Sequence, residues 1–168
     1  ISVGDSAHAS APWLAKNAIE ESSLFVNEIK AKLEAGQENK TKGMMLTATI
    51  TEIKGGLSHN VTPRECDSTL DIRIPVDTSC KSVEEKISEV VKEISKKQQV
   101  EAFYSIIDET EPFEAEHNSP LVRALTLGIL DVEKNRPTLI RKTGTGDMNV
   151  IGNKLSIPVV TYGPGDPH

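Results

Sequence analysis

Few cysteines, no excess of positive charge and no long apolar run characterise this chain, and each lack excludes a class of protein. The 168 residues include two cysteines, Cys66 and Cys80, with no CxxC spacing. Neither a zinc knuckle nor a disulfide framework is therefore indicated, and a reduced, cytoplasmic protein is the simplest interpretation. The net charge of −6 argues against nucleic acid or an anionic membrane as the main partner. No apolar run approaches the roughly 18 residues of a membrane helix, and no signal peptide is indicated.

The first hundred residues alternate between strand and helix patterns. Ser10 is a candidate cap for the first helix, and Gly36 marks its end. Ser82 and Glu85 form a capping-box pattern at the start of the second helix. Apolar spacing predicts the end of a strand at 1–3, a helix at 12–35, strands at 46–51 and 66–74, a helix at 82–97 and a strand at 100–107.

This order, β-α-β-β-α-β over residues 1–108, predicts an α+β domain: a four-stranded antiparallel sheet with both helices on one face. An acidic stretch at 109–118 reads as a linker. The remainder, up to residue 168, predicts a partial α/β segment. Its elements are a helix from Ser119, a strand at 138–142, a short helical turn at 148–151 and a strand at 157–161. Because strand-like sequence begins the chain without a Met, we expect a fragment of a larger fold.

A glycine-rich run at 144–149 follows the basic pair Arg141–Lys142 and precedes a second glycine turn at 163–165. Glycine has no Cβ and readily adopts positive φ, so such a loop suits the close approach of backbone to a small anion. Ordinary turns between two strands fit the same pattern.

A second group consists of His8, Asn60 and Arg73. His8 lies among small residues where a strand ends and a helix begins, and Asn60 follows a Gly-Gly turn. The alternatives are a solvent-exposed loop histidine and an asparagine that makes a turn hydrogen bond. Arg73 stands beside Asp71, where a surface ion pair would contribute less than about 1 kcal/mol.

Together these runs resemble one family. Residues 6–12, 55–63 and 70–75 look like the lid, or dimerisation, domain of the M20 dinuclear zinc amidohydrolases and peptidases, which include acetylornithine deacetylase, succinyl-diaminopimelate desuccinylase, aminoacylase and glutamate carboxypeptidase. Residues 141–149 and 159–165 are similar to the family's C-terminal catalytic segment. The run 139–149 most resembles the LysK-type deacylases, which release lysine or ornithine from a carrier-bound or acetylated form. The resemblance spans nearly the whole chain.

The resemblance implies roles for these residues. His8 matches the lid histidine that reaches into the partner subunit's active site and donates a hydrogen bond to the scissile carbonyl oxygen, an interaction worth roughly 3–4 kcal/mol of barrier. Asn60 and Arg73 match groups that bind the carboxylate end of the substrate, and we expect all three to converge on a neighbouring protomer's cleft. The residues that match the cradle for the substrate carboxylate are Arg141, Gly144, Thr145 and Gly146.

The resemblance also defines what this chain lacks. The family's metal ligands and its general base lie mainly in a half of the catalytic domain that the sequence does not contain. We therefore expect two zinc (or cobalt) ions in the intact parent and no metal in this fragment. His168 is interpreted as a non-ligand because relatives place theirs further along, and His59 and His117 are interpreted as surface residues.

The resulting hypothesis is a metal-dependent amidohydrolase that deacylates acyl-lysine or acyl-ornithine, with this chain inactive alone. The expected partners are the acyl-amino-acid substrate, a carrier protein that presents it, and a second copy bound through the lid. Three alternatives stay open: a di- or tripeptidase or a desuccinylase of the same family, a non-catalytic homodimerisation module, and a small-anion-binding domain that uses the glycine loop.

Overall fold

The computed structural model describes residues 2–41, 44–142 and 144–163. It has an α+β fold, and this confirms the predicted class. Its strands are β1 (Ser2–Val3), β2 (Thr47–Gly55), β3 (Glu65–Arg73) and β4 (Glu101–Ala102), and its helices are α1 (Ala18–Glu34), α2 (Cys80–Gln98), α3 (Pro120–Glu133) and α4 (Asp147–Leu155).

The sheet is built around an antiparallel hairpin of β2 and β3, whose register runs from Thr47 opposite Arg73 to Gly55 opposite Cys66. The two-residue strands β1 and β4 extend it in the order β2-β3-β1-β4. A register shift between Ile50 and Glu52 interrupts the ladder. Such a bulge changes which side chains face the core, and the alternating sequence pattern did not indicate it.

The core lies between the sheet and the two helices of the first hundred residues. Both helices bury apolar residues in one cluster with the start of β2, so they pack against the same face of the sheet. Burial of this kind is the main stabilising term for a domain of this size. The buried members of the cluster are Phe25, Ile29, Leu33, Leu46, Ala48, Val83, Val90, Ile94 and Val100.

Two predicted helix starts are wrong. The α-helix predicted from residue 12 begins at Ala18, because Asn17 is its N-cap and its side chain accepts a hydrogen bond from the Ile19 N–H. Residues 12–14 form a separate 3-10 turn. The second helix begins two residues before Ser82, and Ser79 is its N-cap. Gly36 ends the first helix as predicted, with φ of +76°, a value that glycine adopts without strain.

The C-terminal segment has helices where they were predicted but lacks the predicted strands. Ser119 caps α3, and α4 is longer than the single turn expected. Residues 138–142 and 157–161 form no strand, and the strand predicted over 100–107 is reduced to β4. A strand exists only where a neighbour accepts its backbone hydrogen bonds, and among the described residues these stretches have none. No helix in the described ranges is long and apolar enough to cross a membrane.

Candidate active site

The loop that carries His8 is joined to the loop that carries Asn60. His8 forms an isolated antiparallel bridge with Val61, and the Ala9 N–H donates a 2.8 Å hydrogen bond to the Asn60 carbonyl. The two residues are more than fifty positions apart in the sequence, so only the fold brings them together. His8 and Asn60 are both exposed, and the bridge places their backbones side by side.

The side chain of Thr62 links these two loops through hydrogen bonds. Its side chain is buried, with 7% of the residue exposed. The hydroxyl accepts a hydrogen bond from the Ala7 N–H at 2.7 Å and donates to the Asp5 carbonyl at 3.0 Å. The Thr62 N–H in turn donates to the Ala7 carbonyl at 2.9 Å. Thr62 was not a candidate in the sequence, because its partners lie more than fifty positions away and no local pattern indicates such contacts.

The ring of His8 is fixed by a residue two positions further on. The Ser10 N–H donates to His8 Nδ1 at 3.1 Å, and the Ser10 hydroxyl lies 2.8 Å from the same nitrogen. The His8 carbonyl accepts from the Ala11 N–H at 2.8 Å. Ser10 was predicted to cap the first helix, and this contact is its actual role. No partner for His8 Nε2 is found among residues 2–41, 44–142 and 144–163.

Asn60 keeps part of its hydrogen-bonding capacity. Its side-chain oxygen accepts from the Ser58 hydroxyl at 2.7 Å, and its backbone carbonyl is used by Ala9. The contact with Ser58 orients the amide so that its NH₂ group is directed away from Ser58, and two donors remain for a ligand oxygen. His8 and Asn60 therefore offer hydrogen-bond donors from adjacent positions.

Arg73 lies at the other end of the β2–β3 hairpin. It is the last residue of β3, opposite Thr47, whereas Asn60 belongs to the loop before the strand begins at Glu65. Eight residues of strand correspond to about 26 Å at about 3.3 Å per residue. The expectation that His8, Asn60 and Arg73 converge is thus not met within one chain, because the length of β3 separates the arginine from the other two.

The guanidinium of Arg73 is held by its neighbour on the same strand. Arg73 Nε and Nη2 each lie 2.7 Å from a carboxylate oxygen of Asp71, which is a bidentate pair. The two side chains are 46% and 40% exposed. This is the surface ion pair that the sequence analysis gave as the alternative. Asp71 occupies the Nε edge of the guanidinium and leaves the Nη1 edge available to a second carboxylate.

The glycine loop is less open than predicted. Arg141 Nε lies 2.7 Å from Glu114 Oε1 in the linker, so its charge is already paired. The Gly146 N–H donates to the side chain of Asn149 at 3.1 Å, within the first turn of α4. Gly144 is half-buried and Thr145 is exposed in the loop between them. Residues 143 and 164–168, including His168, lie outside the described residues.

Asn149 is a residue that the sequence analysis missed. It is buried, and its amide donates to the Glu111 carbonyl at 3.3 Å while its oxygen accepts from Gly146. Asn153 donates to the same Glu111 carbonyl at 3.0 Å. These bonds fasten α4 to the linker. The signal in the sequence is an amide side chain three residues after the N-cap glycine, which is the spacing of a capping pair.

A separate cluster lies where the linker meets the start of α2. The Glu111 carboxylate accepts from the Cys80 N–H at 3.2 Å, where a negative charge complements the helix N-terminus. Burial, followed by the charges of Glu111 and Glu109, raises the pKa of the Cys80 thiol to about 11. The thiol is therefore protonated at neutral pH, and the Glu111 carboxylate supplements the Ser79 cap at the start of α2.

Residues 2–99 match the family model described as the M20 peptidase dimerisation domain. The chain belongs to this family. It is 36% identical over 116 residues to a [LysW]-lysine/[LysW]-ornithine hydrolase of Saccharolobus islandicus, a match that covers 69% of this chain and 31% of that protein. A relative from Pyrobaculum aerophilum is 32% identical over 160 residues, covering 95% of this chain and 41% of that one.

Solved structures show the same fold. A tripeptidase from Staphylococcus aureus superposes with a TM-score of 0.72 at 20% identity, over 94% of this chain and 39% of that one. An M20 family metallo-carboxypeptidase from Sulfolobus solfataricus gives a TM-score of 0.61 at 18% identity, over 94% of this chain and 46% of that one. The chain spans less than half the length of these relatives.

Proposed function

We propose that this chain forms the lid and the C-terminal part of a metal-dependent M20 amidohydrolase that releases lysine or ornithine from an amide-linked form, such as a conjugate with a carrier protein. The family match and the names of the relatives support the hydrolase class and this substrate class. The single observation that supports a catalytic role is that the loops carrying the exposed His8 and Asn60 are joined by backbone hydrogen bonds.

In this proposal His8 donates a hydrogen bond from Nε2 to the amide oxygen as that oxygen gains negative charge. A donor that is already in place does not have to reorganise during the reaction, and a comparable donor lowers a barrier by roughly 3–4 kcal/mol. Asn60 supplies a second donor for the same substrate from the adjacent loop. Arg73 binds a carboxylate, because the free edge of its guanidinium matches the geometry of that group.

The separation of about 26 Å along β3 determines how these groups can work together. One site can use the His8–Asn60 surface and Arg73 only if they come from different protomers that face each other in opposite directions. A two-fold dimer has this property, because each end of one lid then lies beside the opposite end of its partner.

The edge of β2 is the surface that we propose for this dimer. The first half of the edge is occupied by side chains of α1 and of the turn after it, because Glu34 accepts from the Ala48 N–H at 3.0 Å and Gln37 pairs with both backbone groups of Leu46. The second half, from residue 50 to residue 55, pairs with no other strand on its outer side among the described residues. Ile53 there is 49% exposed. An open apolar edge of this kind favours pairing with another strand.

The described residues do not provide a site for the two metal ions that the family implies. The one cluster of possible ligands consists of Cys80, Glu109 and Glu111, whose ligand atoms lie within 4.8 Å of one another. Its thiol is protonated and it contains no histidine, so it does not fit a dinuclear zinc or cobalt centre. We therefore derive no metal-dependent step from this chain, and we expect it to be inactive alone.

A non-catalytic dimerisation module is the second candidate function. It is favoured by the same open edge of β2 and by the family model of residues 2–99, which describes a dimerisation domain. The two proposals differ in the role of His8. A dimerisation module requires the edge of β2 but not the imidazole of His8, whereas the hydrolase requires both.

The test is a mixing experiment with the full-length protein that contains this chain, assayed on an amide of lysine or ornithine with added zinc or cobalt. His8→Ala and Arg73→Ala are each expected to be inactive. When the two variants are mixed and allowed to exchange subunits, heterodimers contain one intact site out of two, and activity should return to about a quarter of that of the unmodified protein. If the mixture stays as inactive as the separate variants, the shared site is refuted. If His8→Ala is fully active, the catalytic role is refuted.

A further inference from the structure

We propose that Ser10 fixes the tautomer of His8, so that the neutral imidazole carries its proton on Nε2 and presents that N–H to solvent. Ser10 is then a positioning residue for His8. The catalytic meaning of this inference depends on the function proposed above, but the tautomer itself is a property of this chain.

The first donor to the His8 ring is a backbone N–H. The Ser10 N–H lies 3.1 Å from His8 Nδ1, and a backbone N–H can only donate. Nδ1 must therefore be the acceptor, and an imidazole nitrogen that accepts carries no proton. In the neutral ring the proton then resides on Nε2, because the hydrogen bond made by one ring nitrogen sets the state of the other.

The Ser10 hydroxyl acts in the same direction. Its oxygen lies 2.8 Å from Nδ1, and because Nδ1 is an acceptor, the hydroxyl is the donor in this hydrogen bond. The alternative tautomer would place an N–H of the ring against the N–H of the Ser10 backbone, with the hydroxyl as the one remaining acceptor. Two donors from one residue thus favour the same proton position.

The backbone on both sides of the ring is also fixed. His8 is bridged to Val61, its carbonyl accepts from the Ala11 N–H, and the next residue donates to the Asn60 carbonyl. The ring is therefore attached to a loop with little freedom and is held at Nδ1 as well. The exposed Nε2–H becomes a donor with a defined direction, which is what stabilisation of a developing oxyanion requires.

The chain contains a reference for comparison. His59 lies next to Asn60 in the loop between β2 and β3, is exposed, and no hydrogen bond of its ring is found among the described residues. We expect the ring of His59 to exchange between tautomers in solution.

The experiment is a long-range proton–nitrogen spectrum of the imidazole rings of the ¹⁵N-labelled chain, recorded at a pH well above the ordinary histidine pKa of about 6.5. We expect His8 to show an unprotonated Nδ1 and a protonated Nε2, whereas His59 shows averaged nitrogen shifts. Ser10→Ala removes the hydroxyl but keeps the backbone N–H, so the His8 shifts should move only part of the way toward the His59 average, and in Ser10→Thr they should return. Ser10→Pro removes both donors and should bring the His8 shifts to that average. Ser6→Ala is the matched control and should leave them unchanged.

A proton on His8 Nδ1, wild-type shifts as averaged as those of His59, or an unchanged His8 spectrum in Ser10→Pro would each overturn the inference. The amide shifts of Ala9 and Thr62 report in the same samples whether the loops stay folded. The nitrogen shifts are measured without substrate. A negative result therefore refutes the tautomer but not the proposed hydrolase function, which the mixing experiment tests separately. Failure of the mixing experiment would in turn leave the tautomer result intact.

Discussion

Replacement of Thr62 by valine should destabilise the fold through the loop that presents His8. Valine has nearly the shape of threonine, so the substitution removes the hydroxyl and leaves the packing almost unchanged. The hydroxyl is buried and joins the Ala7 N–H at 2.7 Å to the Asp5 carbonyl at 3.0 Å. Thr62→Val therefore leaves one N–H and one carbonyl without their partner.

The expected loss follows from the surroundings of these two groups. Asp5 is exposed, so its carbonyl can bond to water at little cost, whereas Ala7 is half-buried. A buried donor that loses its acceptor costs about 1–3 kcal/mol. We expect the free energy of unfolding to fall by about 2 kcal/mol, which corresponds to roughly a 30-fold change in the folding equilibrium.

Urea unfolding measures the total loss, and amide hydrogen exchange at Ala9 and Thr62 shows whether the loop opens more often. Thr49→Val is the matched control, because Thr49 is exposed on β2 and the same hydroxyl is removed there. If Thr62→Val stays within about 0.5 kcal/mol of that control, the hydroxyl does not hold the loop and the reasoning is refuted.

Three further predictions concern other parts of the chain. A Cβ at Gly4 would lie 2.1 Å from the Lys16 carbonyl oxygen, so Gly4→Ala should lower the free energy of unfolding by about 1–3 kcal/mol in urea titrations; wild-type stability would contradict this. Because the pKa of Cys80 is raised from 9.0 to about 11, the folded state retains a proton that the unfolded state loses. Stability should therefore fall as pH rises through this window, and Cys80→Ala should lessen the fall. Asp71→Asn breaks an exposed pair with Arg73 and should change stability by less than about 1 kcal/mol.

The helices were predictable from the sequence because each buries one face, and burial of one face imposes a regular spacing of apolar residues. Their starts were not. Ser10 and Ser82 are both plausible caps by residue type, but Asn17 and Ser79 make the bonds. Several residues near a helix start can serve as caps, and the path of the chain before the helix decides between them. Gly36 was predictable because it ends the helix in a conformation that few other residues adopt.

The strands were harder to predict from the sequence than the helices. Alternation predicted β2 and β3, which pair with each other through a short connection. The short apolar runs at 138–142 and 157–161, which were also predicted as strands, form none, because a strand needs a neighbour and none lies beside these stretches among the described residues. The register shift after Ile50 likewise depends on how β2 meets β3, which no local pattern specifies.

The sequence indicates the residue types of the proposed site but not their geometry. The adjacency of His8 and Asn60 results from a bridge between two loops, and the contact of Ser10 with the ring results from a turn. The position of Arg73 is the exception. A strand that runs from Glu65 to Arg73 spans about 26 Å, so its length alone excludes a common site with Asn60 in one chain.

This length has a consequence for how activity would depend on assembly under the proposed function. A site that takes its donor from one lid and its cation from the other is complete only in the dimer, so dilution below the dissociation constant should abolish activity without unfolding the protein. The open half of the β2 edge is short, and Ile53 is its most exposed apolar residue. Ile53→Lys should therefore weaken both dimerisation and activity, and the two should decline together as concentration falls. A monomeric variant that kept full activity would show that one lid is sufficient, and the separation of Arg73 from His8 would then need another explanation.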